Sequence, residues 1–191
     1  MNKIISSLLF VFLFLSVIKA IAQETPLTKS AHLLTLQDVQ YDPSYFSIDY
    51  PNGDVPAGKG VCTDVVIRAY RGIGIDLQKL VHEDMKANFR LYPKNWGMKR
   101  TDRNIDHRRV PNLMTYFKRH GTSLNITKNK SDYKPGDIVC WRLPGNLTHI
   151  GIVSSKRASS GNYLIIHNIG AGQVYEDVLF SYKIIGHYRY N

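Results

Sequence analysis

An α+β domain, helices first and an antiparallel sheet afterwards, is what this sequence predicts. Three observations carry that reading. Between Val61 and Phe117 the apolar residues recur at helical spacing. From Ile138 onward they fall into short β-rich runs separated by turn residues. The segregation of the two patterns along the chain points to two packed layers rather than to alternating strand–helix units.

The chain has 191 residues, and its first 22 stand apart. Met1-Asn2-Lys3 is followed by an apolar run from Ile4 to Ile18 and then by Ala20-Ile21-Ala22, the pattern of a cleaved secretory signal. The run is shorter than the roughly 20 apolar residues a spanning helix needs, so export with cleavage is preferred to a retained anchor. No cysteine follows it to carry a lipid. Residues 23–191 then form one exported domain, expected to be monomeric and either periplasmic or secreted.

Within that domain a short helix is expected over Ser30–Leu36, followed by turns at Tyr41-Asp42-Pro43, Tyr50-Pro51-Asn52-Gly53 and Pro56-Ala57-Gly58-Lys59-Gly60. Val61, Val65, Val66, Ala69 and Tyr70 predict a helix ended by Gly72 and Gly74. Asp76 suits the N-cap of a second helix, with Leu77, Leu80, Val81, Met85 and Phe89 inward. Pro111 opens a third that Gly121 closes. Strands are expected at Ile138–Trp141, His149–Ser154, Tyr163–Ile169, Gln173–Val178 and Ile184–Tyr190.

A formal charge of +10 draws the chain toward anionic partners. The basic residues are scattered and no nucleic-acid motif accompanies them, so no nucleic-acid partner is expected. With 43% hydrophobic and 21% charged residues the composition is that of a globular protein. Two cysteines exclude a disulfide scaffold.

Cys62 opens a predicted helix, where unpaired N–H groups favour thiolate over thiol and offer an oxyanion site. His149 and His167 lie on consecutive predicted strands. The three together have the composition of a nucleophile, its base and an orienting group. A Cys62–Cys140 disulfide is the competing reading. Cys140 sits mid-strand between Val139 and Trp141, in the position of a buried hydrophobe.

Lys134-Pro135-Gly136-Asp137-Ile138-Val139, His149-Ile150-Gly151-Ile152-Val153 and Ile166-His167 resemble the back half of NlpC-type cell-wall cysteine peptidases. Gly60-Val61-Cys62-Thr63-Asp64-Val65-Val66, the stretch Asn104–Leu113 and Gly186-His187-Tyr188-Arg189 resemble, more closely, an exported bacterial family catalogued as domain of unknown function 1287. The likeness implies a papain-like fold and a cysteine amidase or endopeptidase acting on peptidoglycan stem peptides. In that reading Cys62 is the nucleophile, His149 the general base and acid, and His167 the orienting residue. Tyr50 matches the family's active-site tyrosine, and with Thr63 would assist the oxyanion or substrate. No metal or organic cofactor is implied. Two features depart from the family pattern: Val61-Cys62-Thr63-Asp64 replaces the usual Asp-Cys-Ser-Gly, and an insert spans residues 76–111.

That insert carries His82-Glu83-Asp84 and Asp106-His107-Arg108-Arg109. Arg108 and Arg109, with Asp64, are candidates for substrate binding, the arginines as a carboxylate clamp; ordinary surface ion pairs are the plainer reading. A zinc site from His82, Asp84 and His107 lacks any recognised ligand spacing. His187 and Arg189 either abut the site or tie down the last strand. Asn125, Asn129 and Asn146 head glycosylation-like triplets that a bacterial protein would leave unused. Two other functions remain open, a non-catalytic wall- or partner-binding module and an acyltransferase using the same triad.

Overall fold

The computed structural model describes residues 24–190, and the predicted signal segment lies outside them. Helix α1 (Pro26–Leu34) begins earlier than its apolar spacing suggested. Thr25 and Thr28 cap it reciprocally, Thr28 N–H donating to Thr25 Oγ1 at 3.1 Å and Thr25 N–H to Thr28 Oγ1 at 2.8 Å. Two short strands, β1 (Gln40–Tyr41) and β2 (Lys59–Gly60), pair in parallel and bring Tyr41 beside Gly60. Helix α2 (Cys62–Arg71) follows at once. Its N-cap, Val61, has no polar side chain, and Asp64 compensates by accepting the Val61 N–H at 2.7 Å.

Helix α3 (Leu77–Ala87) starts at the expected Asp76 cap, whose Oδ1 accepts the Lys79 N–H at 3.1 Å. Single 3₁₀ turns at Phe89–Leu91, Asn95–Gly97 and Asp106–Arg108 lead to α4 (Val110–His120), with Pro111 in its first turn. The segment read as an insert therefore supplies one helix and an irregular wall.

The sheet comprises β3 (Thr122–Ser123), β4 (Ile138–Arg142), β5 (Thr148–Arg157), β6 (Tyr163–His167), β7 (Val174–Glu176) and β8 (Lys183–Arg189). It is antiparallel throughout, in the spatial order β3-β8-β4-β5-β6-β7. Both faces are buried, which explains why β4 to β6 read as nearly continuous apolar runs. Ile138, Cys140, Ile150, Ile152 and Ile166 pack with α1, α2 and α4 in one core cluster. Val139, Trp141, Val153 and Ile165 pack with Tyr133 and Leu179 in a second. The Trp141 indole N–H is satisfied by Leu179 O at 3.0 Å.

The Pro-Gly-Asp turn before β4 is held by its own aspartate. Asp137 is fully buried, accepts the Lys134 N–H at 2.8 Å, and pairs with His187 Nε2 at 2.9 Å and Arg189 Nε at 2.7 Å. His187 also stacks on Tyr133 with ring centroids 4.3 Å apart. These contacts lock β8 to the start of β4. Of the two readings of His187 and Arg189, the tie on the last strand is the observed one.

Candidate active site

Cys62 is the first residue of α2 and is only 6% exposed. The backbone N–H groups of Cys62, Thr63 and Ile150 are directed at its sulfur and favour the thiolate. Burial outweighs them and, helped by the nearby Asp64 charge, pushes the thiol up to about 12. The expected lowering by the helix N-terminus is therefore present but loses to desolvation. Cys140 is likewise buried and both thiols are free, so the disulfide reading is discarded.

Ile150, whose N–H reaches the sulfur, directly follows His149. His149 is 3% exposed, lies beside Trp141 in the β4–β5 register, and places Nε2 2.7 Å from His167 Nδ1. The chain of contacts continues past the predicted triad: His167 Nε2 is 2.9 Å from Glu176 Oε2 on β7. No hydrogen bond joins Cys62 to His149 directly among the described residues.

Burial, and secondarily the neighbouring His167, lowers His149 to about 3. Burial also lowers His167, with the Glu176 carboxylate opposing it. Burial therefore favours uncharged imidazoles and a protonated thiol at this site.

Two further residues set this geometry. Gly151 is the glycine of the His-x-Gly sequence, and a Cβ there would lie 2.6 Å from Ile165 Cγ2 and 3.1 Å from His167 Cβ. Its lack of a side chain admits the close approach of the His167 strand. Asn168, fully buried, donates from Nδ2 to Gly60 O at 3.2 Å and so ties the end of β6 to the residue two before Cys62.

A cleft of about 190 Å³ opens over Cys62, with Tyr41, Trp96, Arg109 and Thr148 in its walls. A second cavity of about 430 Å³ shares Thr148 and adds Lys118 and Arg142. Among the described residues no carboxylate lines either cavity. Trp96 is 61% exposed and stacks against the Arg109 guanidinium at 4.6 Å from the ring centroid.

Several predicted site residues lie elsewhere or do other work. Tyr50 is not in the cleft; its hydroxyl is 3.4 Å from Glu83 Oε1 and its ring meets His82 edge-on. Tyr41 stands in the cleft instead, because the β1–β2 pairing carries it there; burial raises its phenol, with added repulsion from Cys62 and Asp64. Arg108 is not a clamp for substrate. It forms a bidentate pair with Asp64 at 2.9 and 3.1 Å and donates to Ser44 O at 3.0 Å. Asp64 is thereby spent on Arg108 and the Val61 N–H and is not a free substrate contact. Thr63 does border the cleft, but its hydroxyl donates to Arg108 O at 3.3 Å. Arg108 and Arg109 both border the cleft, but with Arg108 committed to Asp64, Arg109 is the one of the two without a carboxylate partner among the described residues.

Two of the three residues considered for zinc are taken by other partners. His82 Nδ1 is 2.9 Å from Asp106 Oδ2 and Asp84 accepts from Arg119 at 2.8 Å, while His107 is buried with Nδ1 unpartnered among the described residues. Among the described residues no three His, Cys, Asp or Glu side chains are grouped to hold a metal. Glu176, Tyr41 and Asn168 were not found from sequence. Only Glu176 had a signal, an acidic residue within the strand expected at Gln173–Val178, next in sequence after the one that carries His167.

Comparison with known proteins adds a family. A structure of NlpC1 from Trichomonas vaginalis aligns over 89% of this chain and 46% of that one, with 16% identity and a TM-score of 0.47. The chain thus spans under half the length of that structure. A protein of Escherichia coli (strain K12), named Uncharacterized protein YijF, is 60% identical over 150 residues, covering 78% of this chain and 73% of that protein. The family model for the domain of unknown function DUF1287 matches residues 28–190, and the chain belongs to that family.

Proposed function

We propose that this protein is an exported, papain-like cysteine amidase or endopeptidase acting on peptidoglycan stem peptides. The observation that carries this reading is a helix-opening thiol at the floor of a cleft, touched by the N–H next to His149. The packing of the helix that starts at Cys62 on the antiparallel sheet that carries both histidines supports the same reading.

In this mechanism His149 takes the Cys62 proton as the sulfur attacks the amide carbonyl. A thiolate formed only as it reacts suits a site whose thiol and imidazoles rest uncharged. The carbonyl electrons move onto oxygen, where N–H groups at the start of α2 and the Tyr41 hydroxyl offer stabilisation. Collapse breaks the C–N bond, and His149 returns the proton to the leaving amine. Water then hydrolyses the thioester, with His149 accepting its proton, and Cys62 is regenerated.

A cationic cleft without a lining carboxylate supports an acidic substrate, and stem peptides carry free carboxylates. Arg109, held beside Trp96, is the residue placed to meet one. Digestion of purified muropeptides, followed by mass spectrometry, tests the function. Products whose masses sum to the substrate plus one water identify hydrolysis, and loss of cleavage in Cys62→Ala identifies the nucleophile. Cleavage that persists in Cys62→Ala removes the mechanism. The depth of the sulfur favours one second reading, a binding module on the same fold, for which muropeptides would bind without turnover and alkylation of Cys62 would change nothing.

A further inference from the structure

His167 stands between two partners that demand different things of its ring. Its Nε2 is 2.9 Å from a Glu176 oxygen and its Nδ1 is 2.7 Å from His149 Nε2. The Glu176 side chain is 36% exposed, and a carboxylate is an acceptor only. A proton must sit on His167 Nε2 to make that bond.

Burial disfavours a charge on the His167 ring, against the opposing Glu176 carboxylate, and the neutral ring has one N–H and one lone pair. With the proton on Nε2, the lone pair is on Nδ1. His167 can then only accept from His149, so the single proton of neutral His149 lies on its Nε2. Its Nδ1 is left as a lone pair. Strand register makes this contact possible: Glu176 is opposite Ile165, two residues from His167, so both side chains fall on one face of the sheet.

We propose that Glu176 is a positioning residue that sets the tautomer of His149 through His167, leaving Nδ1 of His149 unprotonated as the base. The tautomer assignment stands on the hydrogen bonds together with a neutral His167 ring; the use of that lone pair on Cys62 rests on the amidase reading. Glu176 touches neither substrate nor sulfur, and acts only by fixing where two protons reside.

The test is long-range ¹H–¹⁵N correlation of the full chain labelled in its histidines, at neutral pH and without substrate. Wild type is expected to show both His149 and His167 protonated at Nε2. In Glu176→Leu the acceptor is gone, His167 is free to protonate at Nδ1 and donate, and His149 is expected to shift toward Nδ1–H. Where muropeptides are cleaved, the rate should fall in parallel, on the order of tenfold or more. Nδ1–H on either ring of the wild type overturns the proposal, a result that does not require the variant to fold. Unmoved tautomers in a folded Glu176→Leu also overturn it. A wild type with both rings Nε2–H that cleaves no muropeptide supports the assignment and counts against the amidase reading instead.

Discussion

Arg108 grips both carboxylate oxygens of Asp64, at 2.9 and 3.1 Å, with the two side chains only 2% and 3% exposed. The pair joins the first turn of α2 to the wall built by residues 76–111, and so fixes Cys62 against the cleft. Removing one partner of such a pair strands a buried charge. Arg108→Ala is expected to lower unfolding stability by about 3–5 kcal/mol in urea titration. Arg109→Ala, at a half-buried position in the cleft wall, should change stability by under about 1 kcal/mol and raise KM on acidic peptides with little effect on kcat. Equal stability losses from both substitutions, or a KM unmoved by Arg109→Ala, would contradict this division of roles.

The Cys62 thiol gives a second expectation. With its pKa pushed up to about 12 by burial, almost none is ionised at neutral pH. The rate of iodoacetamide alkylation should rise about tenfold per pH unit from pH 7 to 10 with no plateau, because the thiolate is the nucleophile. Cys140→Ala should leave the profile unchanged, since Cys140 is fully buried. A plateau near pH 6 would mean that a thiolate–imidazolium pair already exists at rest, and would refute the neutral site described above.

The helices and strands were legible because their apolar spacing coincides with real burial. Asp76 and Pro111 open helices where capping chemistry places them, and Cys62, His149 and His167 sit on the expected elements. What the sequence concealed depends on contacts distant in the chain. Tyr50 and Tyr41 precede Cys62 with similar turn chemistry around them. Only the β1–β2 register, which pairs Tyr41 with Gly60, decides which one reaches the cleft. Arg108 and Arg109 are adjacent and identical in type, yet the 3₁₀ turn at Asp106–Arg108 points one into a buried pair and leaves the other on the wall. The thiol's electrostatics were misread for the same reason: a helix N-terminus is visible in sequence, whereas the depth of burial that outweighs it is set by tertiary packing.

The buried histidines predict how the fold responds to acid. His149 and His107 are both lowered to about 3, first by burial; His107 is also repelled by Arg108, Arg71 and His82. An unfolded histidine titrates near 6.5, so protons bind the unfolded chain more readily than the native one. The stability these neutral rings contribute is complete above about pH 6.5 and is lost progressively as pH falls toward 3. Each group is expected to cost up to about 2 kcal/mol by pH 5, a large part of a typical domain's reserve. Asp137, held below its ordinary range chiefly by His187 and Arg189 against the cost of burial, adds its own loss only below the carboxylate range. Asp106, which burial raises above its ordinary range, acts in the opposite sense and is set against the histidines over the interval from pH 6.5 to 4.5. Urea midpoints measured across it should fall steeply in the wild type and less so in His107→Gln, which has no proton to bind. Midpoints that stay level over that interval would show that these rings titrate normally in the native protein, and the uncharged resting site would have to be abandoned with them.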